Sequence, residues 1–143
     1  CYFMTPYQTK SNKLTGTNYE EARKNAMVVY DKISKQTRGK VYIRSAFFRD
    51  NKKKQKIFFD YFWVHLSQKG PKERVKRLHY FAAALELLRK SRNKPAIQEN
   101  PHKKEEILYR FTGLTKNREL FCVQIKENKK TRQKFLMSCF PLE

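Results

Sequence analysis

The last third of the chain constrains the fold more than any other stretch, because it contains three short runs with the composition of β-strands. The runs are ILYRFT from Ile107, LFCVQIK from Leu120 and KFLMSCF from Lys134, and short polar segments separate them. Short strands joined by short turns are typical of an antiparallel meander. We therefore expect three neighbouring antiparallel strands over residues 107–140.

Each run carries one polar residue where an apolar one would be expected. Successive residues of a strand point to opposite faces, so the sequence alone sorts the side chains into two sets. The apolar face would hold Tyr109, Phe111, Phe121, Val123, Ile125, Phe135, Met137 and Cys139. The opposite face would hold Arg110, Thr112, Cys122, Gln124 and Ser138, and we expect a functional surface there.

A helix and a hairpin are predicted before residue 57. Thr17 and Glu20 have the spacing of a capping box, in which a hydroxyl and a carboxylate satisfy free backbone amides at a helix start. Apolar residues then recur at helical spacing, and Gly39 provides a stop. Residues 40–49 and 56–66 are rich in aromatic and β-branched residues, so we expect two strands joined by a charged turn.

A second helix is predicted after residue 70. Pro71 suits the first turn of a helix, and an apolar stripe at spacings of three and four residues runs from Val75 to Leu88. Residues 96–106 are polar, and we interpret them as a connector to the meander.

These elements predict one domain over residues 1–143. We interpret 1–16 as an irregular arm, 17–56 as an N-terminal helix and first hairpin strand, and 57–141 as the core. The expected fold class is α+β, with two main helices packed on one face of a four- or five-stranded antiparallel sheet. The N-terminal helix and hairpin would be an addition to that core.

The net charge is the strongest indication of a partner. Thirty-three Lys and Arg residues face 13 Asp and Glu, which gives a formal charge of +20. Such an excess suits nucleic acid, an anionic membrane surface or an acidic protein, and phosphate neutralisation favours nucleic acid. The alternative is a surface that is merely well solvated. No apolar run approaches about 18 residues, so we expect no membrane insertion.

Several basic residues are candidates for binding phosphates. Helix N-termini attract anions through free amides and the helix dipole, and the start of the second helix is strongly basic. The candidate nucleic-acid-binding residues are Lys72, Arg74, Lys76 and Arg77, with Gln124 and Lys126 from the meander. For the helix, the alternative is a solvated face.

The chain offers little for metal or cofactor chemistry. It has three Asp, no visible cluster of carboxylates for a two-metal site, and no Walker loop or GxGxxG motif. We therefore expect no metal and no cofactor. RNA can be cleaved without a metal when a base activates the 2′-hydroxyl, an acid protonates the leaving oxygen and cations stabilise the phosphorane.

Three residues are candidates for that chemistry. His65 is the best acid or base, because histidine titrates near neutrality; its alternative is a structural histidine at a strand end. Arg110 could bind a phosphate, or it could form a salt bridge with Glu119. Ser138 could hydrogen-bond a phosphate, although serines in strands are usually structural.

The order HLSQKG, basic amphipathic helix, KPAI, YRFTG, FCVQIKE and KFLMSCF resembles the barnase–EndoU–colicin–RelE class of ribonucleases. The resemblance covers about residues 57–141 and is strongest to the phage-associated and polymorphic-toxin branches, with colicin D-type domains nearby. It implies a small α+β domain whose open sheet face holds a metal-independent ribonuclease site. The implied site places His65, Arg110 and Ser138 in catalytic roles, with Lys69 as a substitute for a second histidine.

The resemblance leads us to expect an endoribonuclease toxin domain that leaves a 2′,3′-cyclic phosphate. Its expected partners are RNA, foremost tRNA, and an acidic antitoxin or immunity protein. We expect it to act in the cytoplasm, and delivery as part of a larger protein is left open. The alternative function is a non-catalytic basic module that binds RNA or DNA.

Overall fold

The computed structural model of the protein describes residues 6–99 and 102–142. Over this part of the chain there are four helices and one seven-stranded sheet. In chain order the elements are β1 (Tyr7–Gln8), α1 (Tyr19–Gln36), β2 (Tyr42–Asp50), β3 (Lys53–Phe58), α2 (Phe62–Ser67), α3 (Pro71–His79), α4 (Phe81–Lys90), β4 (Ala96–Glu99), β5 (Glu106–Leu114), β6 (Leu120–Asn128) and β7 (Lys134–Pro141). The predicted α+β class is confirmed.

The C-terminal meander β5–β6–β7 forms as predicted, and the other strands add to its two edges. The strand order is β1-β5-β6-β7-β3-β2, with β4 also paired to β5. β1 is parallel to β5 and β3 is parallel to β7. The predicted four- or five-stranded antiparallel sheet is therefore wrong, and the helices are not clearly gathered on one face. β1 and β4, of two and four residues, are too short to show a period in sequence.

Over the region in which the two strands pair, β7 contains one more residue than β6. Gln124 lies opposite Ser138, whereas the next residue of β6 lies opposite Leu136, so Met137 is the extra residue of a β-bulge. The side chains of β7 that precede the bulge point to the opposite faces from those that strict alternation with Ser138 would give. Phe135 therefore lies on the same side of the sheet as Ser138. The predicted apolar face therefore loses Phe135, and the hydrophobic core gains Leu136.

The predicted first helix is α1, with its boundaries shifted by a few residues. The N-cap is Asn18, whose side-chain oxygen accepts from the Glu21 backbone N–H at 2.9 Å. Thr17 reaches only the Glu21 carboxylate, at 3.4 Å, so the predicted capping box is not formed. Three residues of the apolar stripe are buried: Ala22, Ala26 and Ile33.

Residues 56–66 are not a single strand, which corrects the prediction for His65. β3 ends at Phe58 and α2 begins at Phe62, so His65 lies on a short helix and not at a strand end. Phe59, Phe62 and Trp63 of this segment face the core, where Trp63 meets Tyr30 at 5.5 Å between centroids. An aromatic run of this length fits a buried strand or a buried helix equally well, and tertiary packing selects the helix.

The predicted second helix is two helices, α3 and α4, separated at Tyr80. The backbone there departs from helical geometry, with φ −97° and ψ 5°, and the ring stacks on Phe121 at 5.6 Å. The stripe residues Leu78, Leu85 and Leu88 are buried as predicted.

Two segments predicted to lack regular structure contain strands. In the N-terminal arm, residues 1–5 lie outside the described part of the chain, and Tyr7–Gln8 pairs with β5. The predicted connector 96–106 contains β4, which pairs antiparallel with β5. Within the described ranges, no helix is long and apolar enough to cross a bilayer.

A buried ion pair fastens the start of β7 to the end of β6. Glu127 is 1% exposed, and its Oε1 lies 3.3 Å from Nζ of buried Lys134 and accepts from the Tyr109 hydroxyl at 2.9 Å. Arg132 Nε lies 3.2 Å from the other carboxylate oxygen, close enough for charge attraction although not aligned for a hydrogen bond. Burial and then Glu127 raise the pKa of Tyr109 to about 12.

Candidate functional site

The three polar residues of the meander form a row across the sheet. Arg110 lies opposite Gln124, and Gln124 lies opposite Ser138. Directly opposed residues of antiparallel strands share a face, so all three are on one side, which we call the outer face. Arg110 is exposed and Gln124 half-buried, whereas Ser138 is 2% exposed. The geometry therefore contains the polar face that alternation predicts.

Arg77 joins this row from α3. Its Nη1 donates to the Ser138 hydroxyl and its Nε to the Glu73 carboxylate, the latter at 3.0 Å. Its guanidinium carbon lies 5.3 Å from the centre of the Phe140 ring. The side chain is only 15% exposed, so three partners fix the orientation of a largely buried cation.

The helix reaches the outer face because β3 leaves β7 uncovered. β3 pairs with β7 only at Lys134 and Phe135, and α2 and α3 then pack against β7. One turn of α3 and the second half of β7 are thus brought together. Contact between them is direct, since the Cys139 thiol donates to the Arg77 carbonyl at 3.2 Å.

The guanidinium groups of Arg110 and Arg77 lie near the same aromatic ring, that of Phe140. The guanidinium carbon of Arg110 is 5.8 Å from the centre of this ring, within the range of a cation–π interaction. The sequence interpretation weighed a salt bridge with Glu119, but that carboxylate pairs with Lys13 at 2.8 Å. Two guanidinium groups near one ring create a strongly positive place that suits a phosphate.

His65 faces the same positive neighbourhood from α2. Its ring is half-buried, and its pKa is lowered from the usual value near 6.5. The first cause is burial, which disfavours the charged form; the further causes are the positive charges of Lys69, Arg77 and Lys126. His65 is therefore mainly the neutral imidazole at neutral pH, and a neutral imidazole can accept a proton.

Lys126 belongs to β6, and its charge is one of those that act on His65. Its Nζ is 4.1 Å from the centre of the Tyr61 ring and 3.3 Å from the Glu106 carboxylate. Lys126 follows Gln124 by two residues on β6, so both point to the outer face. Tyr61 immediately precedes α2 and is 41% exposed, which leaves an aromatic surface open beside the cation.

Three predicted binding residues do not join this cluster. Arg74 donates to the backbone carbonyls of Lys69, at 2.8 Å, and Ser67, at 3.3 Å, and thereby fixes the junction between α2 and α3. Lys72 and Lys76 are exposed and one turn apart on α3. Lys76 lines a different cavity, of about 440 Å³. The residues that the structure does bring together are His65, Lys69, Arg77, Arg110, Gln124, Lys126 and Ser138.

Sequence reasoning missed the aromatic partners of these cations. Phe140 could have been found, because it follows Ser138 by two residues and alternation alone places it on the outer face. Tyr61 could not, since residues 56–66 are predicted as one strand, and the sequence does not show the turn before α2 in which Tyr61 lies. Each ring carries a cation within 6 Å of its centre.

The remaining reactive groups are not arranged for metal or thiol chemistry. Among residues 6–99 and 102–142, no three His, Cys, Asp or Glu side chains come together in a way that could hold a metal ion. Cys122 and Cys139 are buried, and burial raises the pKa of their thiols to about 11 and about 12. Both cysteines therefore act as apolar filling.

The functional assignment depends on this geometry. Comparison with protein-family models, with curated proteins and with solved structures finds no match to the chain.

Proposed function

We propose that this protein is a metal-independent endoribonuclease whose site is the positive cluster on the outer face. The observation that carries the proposal is the half-buried His65 with a lowered pKa, set among three cations, one of which is the immobilised Arg77. A base that is neutral at physiological pH and a preorganised cation are two of the three groups that metal-free RNA cleavage needs.

His65 acts as the base. Its neutral imidazole takes the proton of a ribose 2′-hydroxyl, and the 2′-oxygen forms a bond to the adjacent phosphorus. The bond from phosphorus to the 5′-oxygen of the next nucleotide breaks, and that oxygen takes a proton from an acid. The products are a 2′,3′-cyclic phosphate and a 5′-hydroxyl. DNA lacks the nucleophile, so the chemistry selects RNA.

Arg77 and Arg110 stabilise the charge that develops on the phosphorane. Arg77 needs little reorganisation, because Ser138, Glu73 and the Phe140 ring already hold its guanidinium. Donors fixed before the reaction contribute most to such stabilisation. Ser138 is almost fully buried, so we assign it the positioning of Arg77 in place of the direct phosphate contact expected from sequence.

Lys69 is our candidate for the acid. It lies in the positive neighbourhood of His65, and an ammonium group can give up a proton, whereas a guanidinium cannot. Lys126 is already engaged by the Glu106 carboxylate at 3.3 Å, and we assign it, with Gln124, to substrate binding. The remaining basic residues of α3, Lys72 and Lys76, would extend the positive surface.

The charge of the whole chain supports the two partners that we propose. A net charge of +20 accelerates association with an RNA such as tRNA and with an acidic inhibitor of the antitoxin or immunity type. The proposed role is accordingly that of a toxin domain acting in the cytoplasm. The order and spacing of the segments, which resemble the ribonuclease class named above, support the same role.

A non-catalytic RNA-binding module is the second candidate. The observation that favours it is the placing of cations over exposed rings on the outer face, since basic and aromatic surfaces bind RNA without cutting it. The two candidates share a surface and differ only in whether His65 transfers a proton.

Incubation of the purified protein with tRNA in EDTA tests the proposal. We expect cleavage products with 2′,3′-cyclic phosphate ends, and we expect His65→Ala to abolish cleavage while a mobility shift persists. Arg110→Ala should reduce cleavage strongly. His102→Ala, at an exposed loop histidine, is the matched control and should cleave normally. Unchanged cleavage by His65→Ala contradicts the site, and a shift without cleavage by the unmodified protein supports the binding module.

A further inference from the structure

Four aromatic rings in contact form a row on the outer face, starting beside the site: Tyr61 is exposed, Phe58 and Tyr42 are half-buried, and Phe135 is buried between Tyr61 and Phe58. The ring of Tyr61 meets Phe135 at 4.8 Å between centroids, Phe135 meets Phe58 at 6.1 Å, and Phe58 meets Tyr42 at 6.0 Å. The strand register places them on one side, since Phe135 lies opposite Lys126, Phe58 opposite Phe135 and Tyr42 opposite Phe58. We call these four residues the ring row.

Cations lie over both ends of the ring row. Lys126 is 4.1 Å from the centre of Tyr61 at the site end. At the far end, Lys56 Nζ is 4.5 Å and the Arg44 guanidinium carbon 5.6 Å from the centre of Tyr42. Arg44 and Lys56 are directly opposed on β2 and β3, and both are exposed. Positive charges therefore flank the row at the site end and at the edge-strand end.

A basic groove runs beside the far end of the row. It has a volume of about 300 Å³, and the residues along it include Arg44, Lys53, Lys54, Lys56, Phe58 and Arg132. Asp50 is the acidic residue in its lining. Five cations against one carboxylate make this groove suited to a chain of phosphates.

We propose that the ring row and its groove bind single-stranded RNA, and lead an unpaired substrate strand across the hairpin β2–β3 into the site at His65. The inference rests on the proposed ribonuclease function, because it names the substrate class of that site. It also gives a role to the N-terminal hairpin, for which the ribonuclease resemblance has no counterpart.

The chemistry of the row selects a single strand. Bases stack on aromatic side chains only when their faces are free, and in a duplex the neighbouring base pairs cover those faces. The cations that lie on the rings in the free protein can turn to the phosphates as bases take their place. A duplex would meet the groove charges but could not use the rings.

Binding by variants that cannot cleave tests the inference apart from catalysis. In a His65→Ala background, Tyr42→Leu and Phe58→Leu remove rings while keeping apolar volume. Tyr19→Leu is the matched control, because Tyr19 also has a cation over its ring, Arg74 at 4.9 Å, but lies on α1. The probes are a short fluorescein-labelled single-stranded RNA and the same strand annealed to its complement, followed by anisotropy in EDTA.

We expect Tyr42→Leu and Phe58→Leu each to weaken binding of the single strand by roughly tenfold, the scale of one base–ring stack. Duplex binding and the Tyr19→Leu control should stay within about twofold. Equal losses for the single strand and the duplex, or an equal loss in the control, overturn the proposal. Circular dichroism melting shows whether each variant is folded.

Substitutions of two exposed lysines, one on the groove and one on α1, give a test that does not depend on core packing. Lys56→Gln should weaken single-strand binding and make its salt dependence shallower by about 0.7 in the log–log slope, as for one lost phosphate contact. Lys24→Gln, exposed on α1, should leave that slope unchanged. Identical slopes for both variants contradict the placing of RNA on the row. If the ring variants lose binding but the unmodified protein cleaves no RNA, the row stands and the catalytic proposal fails.

Discussion

The contact between Arg77 and Ser138 gives a prediction that does not depend on knowing the substrate. The Ser138 hydroxyl is buried and accepts from a guanidinium that also holds Glu73 and the Phe140 ring. If this contact positions the arginine, the two residues must be coupled in the free energy of unfolding. A double-mutant cycle measures that coupling directly.

The structure sets the size of each effect. Ser138→Ala removes one hydrogen bond to a charged group, and we expect a loss of about 1–2 kcal/mol. Arg77→Ala leaves a buried hydroxyl unsatisfied, at about 1–3 kcal/mol, and removes a cation over a ring, at about 0.5–1 kcal/mol. The ion pair with half-exposed Glu73 adds about 0–1 kcal/mol. The total for Arg77→Ala is therefore roughly 1.5–5 kcal/mol.

Urea unfolding of the unmodified protein, both single variants and the double variant gives the coupling energy. We expect the double variant to be less destabilised than the sum of the single variants by about 1 kcal/mol or more, because either change alone breaks the same contact. A coupling below about 0.3 kcal/mol, the scatter expected of independent sites, refutes the contact. Activity gives a second readout, with Arg77→Ala expected to lower kcat by about a hundredfold or more and Ser138→Ala by less.

The further predictions concern the pH dependence of activity and of stability, a buried ion pair, and the salt dependence of RNA binding. In the profile of kcat/KM against pH, the midpoint of the acid limb should lie at a pH below 6.5. Lys126→Gln should move this midpoint to higher pH, because it removes one of the charges that disfavour protonation of His65. The pKa of His65 is lower in the folded protein than in the unfolded chain, so the unfolded chain binds the proton more readily. The free energy of unfolding should therefore fall as the pH drops below 6.5. Urea titrations of His65→Gln should show a weaker dependence on pH. Glu127→Gln should destabilise by about 3–5 kcal/mol in urea, because it leaves a buried lysine unpaired, whereas Glu105→Gln, at an exposed ion pair, should change stability by less than about 1 kcal/mol. RNA affinity should fall steeply with salt, and Lys56→Gln should make that fall shallower.

The meander and its polar row could be predicted because their information is local. Alternation on β5 and β6 assigns Arg110 and Gln124 to one face, and the strand pairing confirms it. The stripe of the second helix likewise identifies the buried residues Leu78, Leu85 and Leu88. In each case a residue's environment follows from its neighbours within one element.

The position of His65 could not be predicted in the same way. Its segment is apolar on every side, so no period distinguishes a strand from a helix, and the choice depends on the distant rings of Tyr30 and Phe81 against which it packs. The bulge at Met137 also has no local signal, and it alone decides that Phe135 joins the outer face. Parallel pairing of β3 with β7 depends on the crossover through the helices, which alternation does not describe.

Because Met137 is an extra residue in β7, the surface depends on the length of that strand as well as on its composition. Ser138 and Phe135 are three positions apart, an odd spacing that strict alternation would place on opposite faces, and yet they lie on the same face. A chain shortened by one residue at this position would keep every side chain of the proposed site, but would turn Phe135 inward. The ring row would then be cut from the site between Tyr61 and Phe58, so substitutions here should be tolerated far better than single-residue deletions.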